Sequence, residues 1–553
     1  MRKKTEKKKR KFLFGFLSRL LQPLLFLALL LFIVLTYTQL INLTNADLGR
    51  HIKNGEIFFQ QGKPITTNFY SFSEPDYPTI NHHWLAGVAF YLITKWAGFC
   101  GLSLFYTLLF LLAFCLFFHV SVKMSNFPYA LFFSILAVPL ITSREEIRPE
   151  GFSYLFSGIY FWLLYKFKMK EIGFKPLWII PFLQVLWVNI HIFFIMGLVM
   201  IGVFFFDSWC HEKNHLRLKQ YFWLSMVTLA LCFLNPFGLK GVLAPLTILK
   251  EYGYMLAENQ SVIFMQKRFP ANMLYPHFEV LWVICLLSFV FVFFKGERKK
   301  HILPLLLIVF FSLLSWKAIR GIPLFGLFFI PCVANNFYCL LQRGSYKVRN
   351  AVDKLFLFLF IVIIFSSVYF KDPYYSPYEK LHWTALTATT QKSQNWLGFL
   401  LKNPKSLFGL IPGVNASADF FKQNRIEGPI FNNYDIGGYL IYHLFPGERV
   451  FVDNRPEAYS VSFFKKIYIP MQEDEAMWAK MDERYQFNAI YFFRHDMTPW
   501  AQPFLIKRIE DPLWAPIFVD DYTIIFVKRN EKNGRLIRLY ELPKRIFSIG
   551  KNS

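Results

Sequence analysis

Long apolar stretches recur along this chain, with tight clusters of Lys and Arg between them. A bilayer core of roughly 30 Å admits only segments that satisfy their own backbone, so such stretches read as membrane helices. They lie at 20–40, 84–98, 101–119, 127–142, 151–165, 176–206, 221–235, 278–294, 302–316, 322–342 and 355–370. Hydrophobic residues make up 55% of the 553 and charged residues 18%, below the roughly 25% charged of soluble domains. That balance excludes a disordered chain, a disulfide-rich secreted module and a conventional cytosolic enzyme.

The formal net charge of +25, from 61 Lys and Arg against 36 Asp and Glu, fits either nucleic-acid binding or cytoplasmic anchoring of many spans. Placement decides for the second. The first eleven residues hold eight Lys or Arg and lead straight into an apolar stretch, longer than a signal-peptide core of roughly 7–15 residues. The expectation is an uncleaved anchor with a cytoplasmic N-terminus. Further clusters at 166–175, 213–219, 295–300 and 343–354 belong on the same side by the positive-inside rule.

Parity then fixes the path. The 84–98 stretch carries Lys95 and is too short to span, so it lies along the outer surface; 176–206 goes out and returns, turning near Asn189 and His191. The result is about eleven spans with an external C-terminus. The fold class expected is an α-helical polytopic membrane protein with a C-terminal extracytoplasmic α/β domain. The divisions are a basic tail (1–18), a transmembrane domain (19–370) with external loops 41–98 and 236–277, an interfacial linker (371–427) and the α/β domain (428–553). In that domain Pro429–Phe431, Val450–Val452, Ala489–Phe493, Ala515–Val519 and Thr523–Val527 read as strands, with a hairpin at Asp520 and Asp521. Helices fall near Gly437–His443 and Asp474–Glu483. The seven cysteines show no metal-binding spacing and read as core filler. No P-loop and no GxGxxG fingerprint occurs.

Ionisable groups at a membrane boundary are costly and default to functional hypotheses. Asp47, Arg50 and His51 follow the first span, and His82 and His83 close the first loop. A carboxylate beside imidazoles can act as a general base or hold a divalent metal; Asp47 as a helix cap is the competing reading. The next external turn holds Arg144, Glu145, Glu146, Arg148 and Glu150, either pairing among themselves or offering Arg148 to a phosphate. Asn189 and His191 mark the following turn, and Arg320 the one after the ninth span. Lys267 and Arg268 stand in loop 236–277. Asp453 and Arg455 sit at a strand end, where α/β sheets carry ligand loops, with an internal ion pair as the alternative.

In order along the chain, Asp47-Leu-Gly-Arg-His51, Asn68-Phe-Tyr-Ser-Phe, His83-Trp-Leu, Arg148-Pro-x-x-Phe-Ser153 and Leu186-Trp-Val-Asn-Ile-His191 are followed by Asn235-Pro-Phe-Gly, Arg320-Gly-Ile-Pro, Asn433-Tyr-x-x-Gly-Gly-Tyr439 and Val452-Asp-x-Arg455. This ordered set resembles a bacterial branch of the GT-C superfamily of polytopic glycosyltransferases, over most of the chain. The resemblance implies a hexosyl- or pentosyltransferase of the bacterial cytoplasmic membrane. It would use a polyprenyl-phosphate-type sugar donor, a glycan, lipid or protein acceptor, and no nucleic acid. It further implies Asp47 as the catalytic carboxylate, Glu150 as a second acid with Glu145 or Glu146 in reserve, Arg320 and Arg148 at the departing phosphate, Lys267 and Arg268 over the donor lipid's headgroup, and inversion at the anomeric carbon. Some members need a divalent cation, Mg or Mn, and others none; here Asp47, His82 and His83 would be its ligands. The sequence departs in reading His82-His83-Trp84 where related chains have His-Glu-Trp. The competing classes are a transporter or flippase for a lipid-linked or anionic substrate, and a non-catalytic scaffold subunit.

Overall fold

The computed structural model describes residues 21–144, 146–211, 215–247, 250–296, 301–341, 344–369 and 408–547. The basic tail, most of the expected interfacial linker and Glu145 lie outside them.

The long apolar stretches before residue 370 are helical over most of their described length. Helix α1 is Leu21–Tyr37; α2, Leu48–Gln61; α3, Trp84–Met124; α4, Phe127–Ile141; and α5, Glu150–Lys168. Then come α6, Ile179–Ile190; α7, Ile195–His211; α8, His215–Leu231; α9, Gly238–Thr247; and α10, Val262–Arg268. The set closes with α11, Leu274–Phe294; α12, Ile302–Lys317; α13, Ile322–Leu341; and α14, Tyr346–Tyr369. Helix α3 is broken at Gly98, where φ is 65° and ψ −172°. The break falls at the boundary expected between the short 84–98 stretch and the span beyond it.

This is an integral membrane protein. Leu104, Leu108 and Leu112 of α3 stand exposed at four-residue spacing, as do Val283, Leu287 and Phe291 of α11. Such stripes on a helix face suit lipid, not water. Four helical segments are long and apolar enough to cross a bilayer: Trp84–Met124, Ile192–His211, Leu274–Phe294 and Ile319–Leu341. Shorter apolar helices accompany them, so helix length alone does not establish about eleven crossings.

The C-terminal region is built on a sheet of β1 (Ile430–Asn432), β2 (Ala489–Phe493), β3 (Trp514–Val519) and β4 (Thr523–Lys528) in the order β1-β2-β4-β3. β1 runs parallel to β2, and the other pairs are antiparallel. Asp520 caps the β3–β4 hairpin, its Oδ1 accepting from the Tyr522 and Thr523 backbone N–H groups at 2.8 and 2.6 Å. Period-2 alternation divides the strands between two cores. Tyr491, Phe493, Ile525 and Val527 join the large core shared with the membrane helices. Ile490, Phe492, Ile524 and Phe526 join an aromatic core with Phe431, Trp478 and Phe504. Burial on both faces explains why these strands read as continuous apolar runs. All seven cysteines are free.

One expected strand is not part of the sheet. Val450 bridges Ser71 of the first loop; its N–H donates to Tyr70 O and its carbonyl accepts from Phe72 N–H, both at 3.1 Å. Its backbone groups are spent on docking that loop, leaving no ladder partner in the sheet. The segment before 428 also belongs with the domain: helix Ala416–Gln423 receives Tyr439, whose hydroxyl donates to Val414 O at 2.9 Å.

Helix α2 is held by glycine contacts on two sides. A Cβ on Gly55 would meet Gly87 O of α3 at 2.3 Å, and one on Gly49 would meet Gly438 O of the C-terminal domain at 2.8 Å. Small residues permit this backbone approach, which fixes where the start of α2 sits. Gly87→Val is therefore expected to lower thermal stability in detergent by about 1–3 kcal/mol. Gly202→Ala, with nothing within 4 Å of the added carbon, is expected to be silent in the same melting assay.

Candidate functional site

The connections between helices and the C-terminal domain together enclose one cavity of about 1190 Å³. The start of α2 brings Asp47, Arg50 and His51; the end of the first loop brings His82 and His83; the turn after α4 brings Arg144, Glu146, Arg148 and Glu150. His191 comes from the α6–α7 break, Glu258 and Arg268 from the segment before α11, and Arg320 from the turn before α13. Residues from loops remote in sequence thus share one space.

The charges form a continuous network. Glu258 is its hub, 2.6 Å from Arg144, 2.5 Å from Arg148 and 3.5 Å from Arg320. Arg144 also holds Glu150 at 2.8 Å, and Arg148 holds Glu146 at 2.6 Å. Burial raises the Glu258 carboxyl, but Arg320, Arg148 and Arg144 together outweigh it and hold the group well below the usual carboxylate range. Arg320 leaves its Nε without a partner among the described residues.

Asp47 is the loosest member. Its nearest cations are Arg50 at 3.5 Å and Arg148 at 3.6 Å, beyond the roughly 2.7–2.9 Å of a charge-assisted hydrogen bond. It occupies the N-cap position of α2 in helical backbone geometry (φ −65°, ψ −16°) and makes no side-chain cap bond. The capping role does not hold. Burial raises its carboxyl above the ordinary Asp value despite Arg148 and Arg50. Glu150, by contrast, is buried and saturated by Arg144.

Beside this network the imidazoles pack on one another. His83 lies 5.5 Å from His51, 5.3 Å from His191 and 4.1 Å from His82 between ring centres. Burial pushes His82 down to about 4 and holds His51 and His83 well below the usual value, so these rings are neutral at pH 7. His51 Nδ1 and His83 Nε2 have no partner among the described residues. No group of three or more His, Cys, Asp or Glu among the described residues is arranged to hold a metal ion. Arg50 and Arg148 stand 3.5 and 3.6 Å from the carboxylate oxygens of Asp47, and Asp47, His82 and His83 are not gathered into such a group.

Another part of the lining, from the C-terminal domain and Tyr254 of loop 236–277, is acidic and aromatic. Tyr254 stacks on Tyr434 at 4.2 Å and lies 6.3 Å from Trp500. Asp435, Glu457 and Asp496 line the same side. Burial, then Asp496, raises the Asp435 carboxyl well above its ordinary value. Tyr434 OH and Trp500 Nε1 are unpartnered among the described residues.

Several residues expected here lie elsewhere. Asn189 accepts from Trp84 Nε1 at 2.8 Å and donates to two backbone carbonyls, which leaves it a structural tie. Lys267 is exposed on α10 and does not line the cavity. Asp453 and Arg455 form a buried bidentate pair, at 2.8 and 2.6 Å, behind the cavity. Arg455 Nη2 also donates to Asn68 Oδ1 at 2.9 Å, tying the first loop to the domain. Glu258 was not singled out in the sequence. Its signal was there: it and Glu251 are the acids of a loop the charge pattern places on the same face, and Glu251 is taken up by Lys465.

No family model matches the chain, and no curated protein matches it. Among solved structures it is similar to the oligosaccharyltransferase of Archaeoglobus fulgidus. The form tethered by a disulfide to an acceptor peptide containing the NVT sequon is 13% identical, with a TM-score of 0.53 over 92% of this chain and 74% of that one. The apo form is 12% identical at 0.48, over 84% and 69%. The form with Zn and sulfate is 12% identical at 0.48, over 90% and 73%. The first of these passes one half, and at such identity it establishes a likeness of fold to that oligosaccharyltransferase and no more.

The two acids predict opposite stability effects. The folded-state value of Asp47 is raised, so its ionised form costs stability at pH 7; Asp47→Asn is expected to keep or raise the melting temperature there. The value of Glu258 is depressed, so its contribution is present above about pH 4.3 and fades as pH falls through the folded value. Glu258→Gln is expected to cost on the order of 3 kcal/mol at pH 7 by leaving three guanidiniums uncompensated. Calorimetry of the two variants checks both.

Proposed function

We propose that this protein is a membrane glycosyltransferase that moves a sugar from a polyprenyl-phosphate-type lipid donor to a hydroxyl-bearing acceptor on the extracytoplasmic face. The observation that carries the reading is Asp47. It is the one acid of the charge network left without a close cation, it opens into the cavity, and its geometry rules out a capping role.

In this reading Asp47 accepts the proton as the acceptor oxygen attacks the anomeric carbon. The bond from that carbon to the donor phosphate oxygen breaks, and the phosphate leaves with the electron pair. A single displacement inverts the centre. Arg320, with an unused donor, and Arg148 would hold the departing phosphate, each charge-assisted bond contributing about 1.5–3 kcal/mol. Glu150 keeps Arg144 in place and acts through it. The acidic and aromatic wall of Tyr254, Tyr434, Asp435 and Trp500 would receive the acceptor. No step is routed through a metal ion. The Archaeoglobus oligosaccharyltransferase, which takes a peptide acceptor in one of its structures, supports the class of reaction through its fold. A scaffold would have saturated acids throughout, and Asp47 is not saturated. The setting we infer is a bacterial cytoplasmic membrane with about eleven spans.

Comparison of envelope glycans and polyprenyl-linked intermediates by mass spectrometry tests this. A deletion strain carrying Asp47→Asn is expected to lose product and accumulate the donor, a loss of roughly 10²–10⁴ in rate. An unchanged glycan profile with folded protein in the membrane would sink the proposal. The base form of Asp47 is lost as pH falls through its raised value, so the acid limb of the rate profile is expected above the free Asp value of about 3.9. Arg148→Gln is expected to move that limb higher still.

A further inference from the structure

Helix α5 starts at Glu150 in the cavity and runs 19 residues to Lys168, about 28 Å of helix. Its last turn therefore lies about one bilayer core away from the site. There a second cavity of about 620 Å³ opens between the end of α5, the connection that follows and the start of α6. Its floor is apolar, with Trp162, Trp178, Ile179 and Phe182, and its cations are Lys166 and Lys175. Phe182 is 71% exposed and Ile179 50%, which would be untenable in water and is natural in acyl chains.

The charges at this end do not balance. Asp207 is taken by Lys168 at 2.5 Å, and Glu171 by Lys123 at 3.3 Å. Lys166 lies over the Trp162 ring at 4.3 Å and, like Lys175, has no carboxylate partner among the described residues. A ligand matching the cavity must be a long apolar chain carrying an anionic head. Lysines with apolar stems suit this geometry, since the stem lies on the chain while the ammonium reaches the headgroup.

We propose that this cavity binds one anionic phospholipid, with an acyl chain along Trp162, Ile179 and Phe182 and the phosphate held by Lys166 and Lys175. It is separate from the reaction site and does not depend on the reaction proposed for it. Each lysine near an anionic lipid contributes about 1 kcal/mol, so two give roughly a 30-fold preference over a zwitterionic lipid of the same chains.

Native mass spectrometry of the full-length protein, titrated with phosphatidylglycerol and with phosphatidylcholine of matched chains, reads this directly. The expected result is a preference of about 30-fold for phosphatidylglycerol, reduced to near parity in Lys166→Gln/Lys175→Gln. Trp178→Ala is expected to weaken retention of both lipids alike. Equal retention of the two lipids by the unsubstituted protein would overturn the proposal, as would an unchanged preference in the double variant.

Discussion

Much of the cavity's architecture depends on Glu258 being shared by three guanidiniums. Arg144, Arg148 and Arg320 come from two separate connections, and Glu258 from a third. Brought together without an anion they would repel one another in a poorly solvated space, and the connections would part. With it, the ends of α4, α5 and α13 are drawn to one point. Because three cations claim Glu258, and Glu146 and Glu150 are claimed in turn, Asp47 is left with distant partners only. The loose pairing of one acid follows from the close pairing of the others.

The second constraint is steric. Asp47 sits at the start of a helix that touches α3 at Gly55 and Gly87 and the C-terminal domain at Gly49 and Gly438. A side chain at any of these positions would push the helix away and carry the carboxylate with it. The network sets what the site can do; the glycine contacts set where it is.

Much of this was legible in the sequence, for physical reasons. Lipid leaves a chain few choices, so apolar stretches became helices, and the basic clusters gave the parity that placed Asp47, His82, His83, Arg148, His191 and Arg320 on one face. The cavity gathers those same residues. What escaped were pairings that depend on three-dimensional neighbours. Val450 looked like a strand because alternation cannot say whether a partner is in the sheet or in a distant loop. Asp453 and Arg455 carry the charges of a ligand loop, and only burial shows that they neutralise each other. Glu258 stands in a loop the charge pattern places on that face, but only its three guanidinium neighbours show it to be the hub.

The bridge between Ser71 and Val450 bears on the order in which the protein is made. Phe451 O accepts from Ser71 Oγ at 3.0 Å across a separation of 380 residues. While the chain emerges, the membrane helices can pack by contacts with their neighbours and α2 can settle on α3, but the Ser71 segment of the first loop lacks its partners until the last domain is synthesised and folded. Long-range pairings of this kind are late events in folding. The cavity therefore lacks one wall until the end of synthesis, because Tyr434, Asp435 and Trp500, which complete its lining, belong to the last domain.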